Sequence, residues 1–318
     1  MPWSRLGDVP FLPILQYRPP EGCRGTMNLG ILYGLSAVTL FSGQAVAGRF
    51  GVLAGLNAID LAMLRYLFSG MVLAPALGWL LWQRRFLRIP LKQLAILCLM
   101  AGPIYGMAFI GAMVYAPATH TALIFPALTP VFTALIARRA LSAADRTPTL
   151  ALLLLVAGVV CAKFDIFTSM SDNLGATWFG DMLLVVTAFV WAGYTVLLRR
   201  WAIPVVDGVI GVQLSGLPVA VAYLLFVDSA IHQAAWTAVL GQGLYFGLGV
   251  GVAGSVCFTL SVRYLGAKAQ MFVALMPVLG LALAVWVLGE PMTTALWIGG
   301  VLVVAGLAVS LMKKKPVG

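Results

Sequence analysis

The run GAKAQMFVALMPVLGLALAVWVLGEPMTTALWIGGVLVVAGLAVSL, from Gly266 to Leu311, decides the fold. It holds two long apolar segments, with Pro277 inside the first, separated by the break Gly289-Glu290-Pro291. Glu290 is the only acidic residue in these 46 positions. At ~1.5 Å per helical residue, each segment is about long enough to cross a ~30 Å hydrocarbon core. The stretch reads as a helical hairpin in a membrane.

Composition extends that reading to the whole chain. Of its 318 residues, 62% are hydrophobic and 9% charged, with a mean hydropathy of +1.01. A soluble domain carries roughly 25% charged residues, because water must solvate its surface. Here most of the surface faces lipid. The net charge of +10 comes from basic residues scattered in short loops, with no aromatic-interleaved patch, which argues against nucleic acid. The cysteines Cys23, Cys98, Cys161 and Cys257 stand far apart, without C-x-x-C or Cys/His spacing. They read as packing thiols, and no metal or cofactor is expected.

Apolar runs of membrane length fall at 29–48, 61–82, 94–115, 118–137, 148–164, 179–198, 209–227, 241–262, 267–289 and 294–312. The expected fold is therefore an all-α integral membrane protein with ten transmembrane helices. Charge placement tests the count, since cytoplasmic loops collect Lys and Arg. With the N-terminus inside, the inner loops carry Arg84, Arg85, Arg88, Lys92, Arg138, Arg139, Arg146, Arg199, Arg200, Arg263, Lys268 and Lys313–Lys315. The outer connections carry only Arg49, Arg65 and Lys163, while Asp60, Asp165, Asp172, Asp181, Asp228 and Glu290 lie outside. Both termini are expected in the cytoplasm. Residues 1–26 are proline-rich, without a signal-peptide core, and read as a disordered tail; Met27 stands as an alternative start to Met1.

The two halves resemble each other. Gly30, Phe41, Gly43 and Arg49 align with Gly180, Trp191, Gly193 and Arg199; Gly102, Phe109 and Tyr115 align with Gly251, Phe258 and Tyr264. Ala127-Leu128-Thr129-Pro130-Val131 aligns with Ala274-Leu275-Met276-Pro277-Val278, and Val156-Ala157-Gly158 with Val304-Ala305-Gly306. Five spans per half is an odd number, so the second half lies upside-down relative to the first. The expected organisation is two inverted five-helix repeats, 27–165 and 177–312, joined by an external linker at 166–176 and followed by a basic tail at 313–318. Inverted repeats suit alternating access around a midplane site.

These residues also carry a family resemblance. Lys268–Glu290 with Gly299-Gly300 and Ala305-Gly306, Thr121–Val131, Trp191-Ala192-Gly193-Tyr194 and Leu64-Arg65-Tyr66 resemble the drug/metabolite transporter superfamily, with two EamA-like repeats. The resemblance covers about Gly30 to Leu311. The first repeat departs from it, having Leu141-Ser142-Ala143 where the second has Leu288-Gly289-Glu290. Membership implies a central cavity, a bacterial inner membrane, and export of amino acids or related small metabolites.

Polar groups at mid-span are costly in lipid and should face the interior. The substrate-contact candidates are Gln44, Tyr105, Trp191, Tyr194, Tyr245, Ser255 and Gln270, each with interhelical hydrogen bonding as its plainer role. Arg65 is a further candidate, able to fork a carboxylate, but equally placed to snorkel or to pair with Asp60. Pro130 and Pro277 are expected to kink spans four and nine. His120, at the outer start of span four, is a gating candidate whose plainer role is a solvated interfacial histidine. The glycines Gly247–Gly254 read as packing residues that also give span eight room to flex. Glu290 reads as a structural turn or cap. Because no acid falls in the middle of any span, coupling is not expected to run through a midplane carboxylate.

The leading reading is a secondary transporter by alternating access, as monomer or homodimer, whose only ligands are a small molecule and the bilayer. A passive channel and a multidrug- or nucleotide-sugar-type carrier are the alternatives. A membrane enzyme is disfavoured, since no H-E-x-x-H, G-x-S-x-G or Walker lysine is present.

Overall fold

A computed structural model describes residues 24–82, 89–137, 148–168, 174–201, 203, 205–265, 272 and 275–311. Among these there are ten helical stretches and no strand. α1 runs Arg24–Ser42 and, past Gly43, Gln44–Leu53; α2 is Ala58–Trp82; α3 is Leu91–Ala101 and Pro103–Tyr115. α4 is Ala118–Ala137, α5 Thr149–Thr168, α6 Leu174–Arg200 and α7 Val205–Phe226. α8 is Trp236–Gln242, Gly243–Gly254 and Ser255–Leu265; α9 is Leu275–Leu288 and α10 Thr294–Leu311. Seven are long and apolar enough to cross a membrane, while the apolar stretches at Thr149–Ala162, Leu275–Leu288 and Thr294–Ser310 are shorter. Trp286, Trp297, Phe226 and Leu225 lie bare on the outside, as expected of side chains that meet acyl chains rather than water. The protein is an integral, multi-pass membrane protein.

Element ends differ from the sequence reading in small ways. Residues 24–26, assigned to the tail, begin α1, and α5 and α6 shorten the external linker to 169–173 at most. Gln270 and most of the basic loop residues lie outside the described residues.

The helices pack in a few extended contacts: α5 with α10, α4 with α6, α1 with α8, α2 with α7 and α8, α3 with α6, and α4 with α9. The core gathers Leu61, Met63, Leu64 and Tyr66 of α2 with Ile110 of α3 and Phe246 of α8. A second cluster joins Leu123, Leu155, Val303 and Leu307 of α4, α5 and α10. Where α5 meets α10 the backbones nearly touch. A Cβ on Gly158 would stand 2.8 Å from the Gly299 carbonyl oxygen, and one on Gly299 2.6 Å from that of Gly158. Small residues provide this approach, which replaces the hydrophobic drive that lipid removes.

Three helices are irregular inside their apolar length. α1 is interrupted at Gly43. α3 breaks at Gly102, which is extended (φ −85°, ψ −151°) before Pro103 restarts the helix. Proline suits that first position, where its missing N–H is no loss. α8 widens into a π-helix over Gly243–Gly254, through glycines that place no Cβ against Phe68. Freed backbone groups find side chains: the Tyr66 hydroxyl donates to Ala101 O at 3.4 Å, and Gln213 Nε2 to Gly251 O at 3.1 Å. α9 stops at Gly289, whose φ of +67° only glycine takes without strain.

Candidate functional site

The break in α1 faces a small central cavity of about 40 Å³. Its walls are Phe41, Ser42, Gln44 and Ala45 of α1, Phe109 and Met113 of α3, Thr121, Ala122, Phe125 and Pro126 of α4, and Met276 and Gly280 of α9. A buried water needs ~10–15 Å³ of such volume, so there is room for a few waters. A metabolite fits only when the helices part. Among the described residues, no ionisable side chain lines the walls.

The local sequence explains the shape. With the helix interrupted, the α1 carbonyls need new donors. Gln44 Nε2 donates to Phe41 O at 3.1 Å, and the Tyr245 hydroxyl donates to Leu40 O at 2.7 Å. Ser42 Oγ reaches across to Met276 O of α9 at 3.4 Å. On the far wall, a Cβ on Gly280 would stand 2.7 Å from Ala122 Cβ, so glycine lets α9 come this close to α4. Thr121 is 6% exposed, and its hydroxyl oxygen has no hydrogen-bond partner.

The sequence candidates are distributed around this centre. Gln44 lines the cavity, and Tyr245 holds the chain about one turn behind it, at Leu40. Tyr194, Trp191, Tyr105 and Phe109 form an aromatic row, with ring centroids 5.1, 5.4 and 6.0 Å apart, that reaches the cavity at Phe109. Tyr105 and Tyr194 are buried in that row and are not among the cavity walls. Ser255 follows the π segment, 3.5 Å from Val250 O. Arg65 lies over the Tyr66 ring, 5.8 Å from its centroid, and its buried Nε makes no hydrogen bond. Pairing of Arg65 with Asp60 is corrected: Asp60 instead accepts from Asn57 N and the Tyr223 hydroxyl, each at 2.9 Å. α4 contains Pro126 as well as Pro130, and it is Pro126 that lines the cavity. Pro277 is the third residue of the described α9, buried beside Met276. Ser42, Thr121 and Pro126 were missed; their signal was position within about one turn of a polar or proline residue already noticed (Gln44, His120 and Pro130).

The end of the bundle where α4 begins is tied by carboxylates. Reading His120 as a solvated interfacial residue is corrected: it is 7% exposed, with Nδ1 3.0 Å from Oδ1 of Asp181, itself 4% exposed. Asp60 and Asp181, expected on the outer side, are buried within α2 and α6. Glu290 reaches past its own turn to the N-terminus of α4, accepting from Ala118 N at 2.8 Å and Thr119 N at 2.9 Å. An anion there satisfies unpaired N–H groups and the helix dipole together. Among the described residues, no group of three His, Cys, Asp or Glu side chains is placed to hold a metal ion.

Residues 178–312 match the model of the EamA-like transporter family. No curated protein matches the chain. Thirteen chains of solved structures match it. One, titled "Crystal structure of protein", is 20% identical, with 88% of this chain and 96% of that chain covered at a TM-score of 0.59. Likeness at that identity speaks for the fold alone. The matched region takes in α6 to α10, including the hairpin around Glu290. Over residues 178–312, then, the chain is similar to the EamA-like transporter family.

Proposed function

We propose that the protein is a secondary transporter that moves small metabolites across a membrane by alternating access. The observation that carries this reading is where the helices break. Irregular backbone is tolerated at membrane depth only when it is buried in protein or lines a cavity, and carriers build their sites from such discontinuous helices. Here the α1 break forms part of the wall of the central cavity.

The packing supports two inverted repeats as the moving parts. Exchanging each helix for the one five places away maps the packed pairs onto one another. α5–α10, α4–α9 and α2–α7 return to themselves, α1–α8 exchanges with α6–α3, and α2–α8 with α7–α3. The resemblance favours export of amino acids or related small metabolites from a bacterial inner membrane, and the basic loops favour cytoplasmic termini. Coupling in this reading does not run through the cavity, whose described walls bear no ionisable group. A membrane enzyme has no support in a family of transporters.

Purified protein in proteoliposomes tests the reading. Saturable flux of a labelled metabolite, stimulated by the same compound on the other side, is expected. Flux that neither saturates nor shows counterflow is the behaviour of a channel and would overturn it.

A further inference from the structure

We propose that the central cavity selects an uncharged, flat and weakly polar ligand, held between phenylalanine rings and hydrogen-bonded to Thr121, over zwitterionic or cationic relatives of the same shape. The inference rests on the transporter reading but moves its substrate class away from amino acids, towards neutral metabolites.

Three observations converge. Among the described residues, no ionisable side chain lines the cavity. An ammonium or carboxylate drawn into it would lose its hydration with no opposite charge in the walls to replace it, a strong penalty in a low-dielectric site. The walls themselves suit a ring. Phe109 and Phe125 meet edge-on at 4.8 Å with Phe41 nearby, and Met113 and Met276 offer polarisable sulfur.

The third observation is Thr121. Threonines within helices commonly turn their hydroxyl back to the carbonyl four residues earlier. Thr129 and Thr133 on the same helix do so, donating to Phe125 O at 2.7 Å and Thr129 O at 2.8 Å. For Thr121 that carbonyl is Pro117 O, which already accepts the backbone N–H groups of His120 and Thr121 at 3.1 and 3.3 Å. Its buried hydroxyl oxygen is left without a partner in the cavity wall. A buried polar group of this kind gains from a ligand that completes it. Gln44 is held by its bond to Phe41 O, whereas the buried Thr121 hydroxyl has no partner at all.

A matched set of probes tests this on the purified full-length protein by calorimetric titration. Indole is neutral with one N–H, indene is neutral without it, L-tryptophan is the zwitterionic relative and tryptamine the cationic one. Indole is expected to bind at least tenfold more tightly than L-tryptophan or tryptamine. Thr121→Val should weaken indole by about threefold to tenfold and leave indene unchanged, while Thr121→Ser keeps the wild-type preference. The probe series on the wild-type protein stands even if a variant fails to fold. Binding of L-tryptophan or tryptamine as tight as indole, no saturable binding of indole, or an unchanged indole affinity in Thr121→Val overturns the proposal. Counterflow with the same probes separates the two readings. Indole binding without counterflow keeps the site and sinks the transporter, whereas L-tryptophan counterflow without indole binding does the reverse.

Discussion

Glu290 stands in a short break between two apolar helices, yet its carboxylate does its bonding on a third. Both oxygens accept backbone N–H groups at the start of α4, 171 and 172 residues away in sequence. Glu290→Gln keeps one acceptor but loses the charge that the helix dipole favours. It should cost about 1–2 kcal/mol, read as a lower unfolding midpoint of the detergent-solubilised protein. His120→Leu should cost more, about 1.5–3 kcal/mol on the same measurement, because it removes a hydrogen-bond partner from a buried carboxylate. Neither partnership could be read from the sequence, where Glu290 is a lone acid and Asp181 stands at the outer start of a span with no marked partner. The Asn57–Asp60 pair is the contrasting case. Asn57 Oδ1 accepts from Asp60 N, and Asp60 Oδ2 accepts from Asn57 N, each at 2.9 Å. Such a reciprocal cap spans three residues and leaves a local signature just before an apolar run.

At the level of elements, the ten spans could be read because each is a long apolar run closed by a charged or proline-rich loop. The breaks inside them could not. Periodicity carries no information in a helix that is apolar all round, and glycine in a membrane helix is usually there for packing. Two had a usable signal: Gly102-Pro103, a dipeptide that favours a turn wherever it falls, and the glycines Gly247–Gly254, which leave α8 room to flex. The α1 break makes its own prediction. A Cβ on Gly43 would strike the Tyr245 hydroxyl, whereas the ring carbon behind it would be at 3.4 Å, ordinary contact. Gly43→Ala should therefore destabilise by about 1–3 kcal/mol and slow counterflow, and Tyr245→Phe alone by about 1 kcal/mol. The double variant should be better than the sum of the two, with a coupling of at least ~0.5 kcal/mol in a double-mutant cycle. At the α5–α10 contact no such relief exists, because each glycine faces the other's carbonyl. Gly158→Ala or Gly299→Ala should each cost about 1–3 kcal/mol, measured by thermal unfolding, and no single change across the contact should restore it.

For the whole molecule, alternating access requires that one set of cavity residues meet water from each side in turn. Ser42→Cys, in a background stripped of Cys23, Cys98, Cys161 and Cys257, is expected to react with a membrane-impermeant thiol reagent added to either face. Saturating substrate should shift the two rates in opposite directions, whereas parallel changes would fit a pore. Where the molecule parts first is written in its cross-links. Asp60 with Tyr223, His120 with Asp181, and Glu290 with the start of α4 each join a residue before 169 to one after 173. At the opposite end, the described residues are joined across the halves by the Tyr33–Tyr264 ring stack at 5.9 Å. Separation at the carboxylate end would break these three links between the halves at once and turn their acids toward one mouth. The seal would become an anionic vestibule, repelling negatively charged solutes within about a Debye length of ~8 Å while leaving neutral ones free to pass. What holds that end shut would then act, once open, as an electrostatic sieve in front of an uncharged chamber.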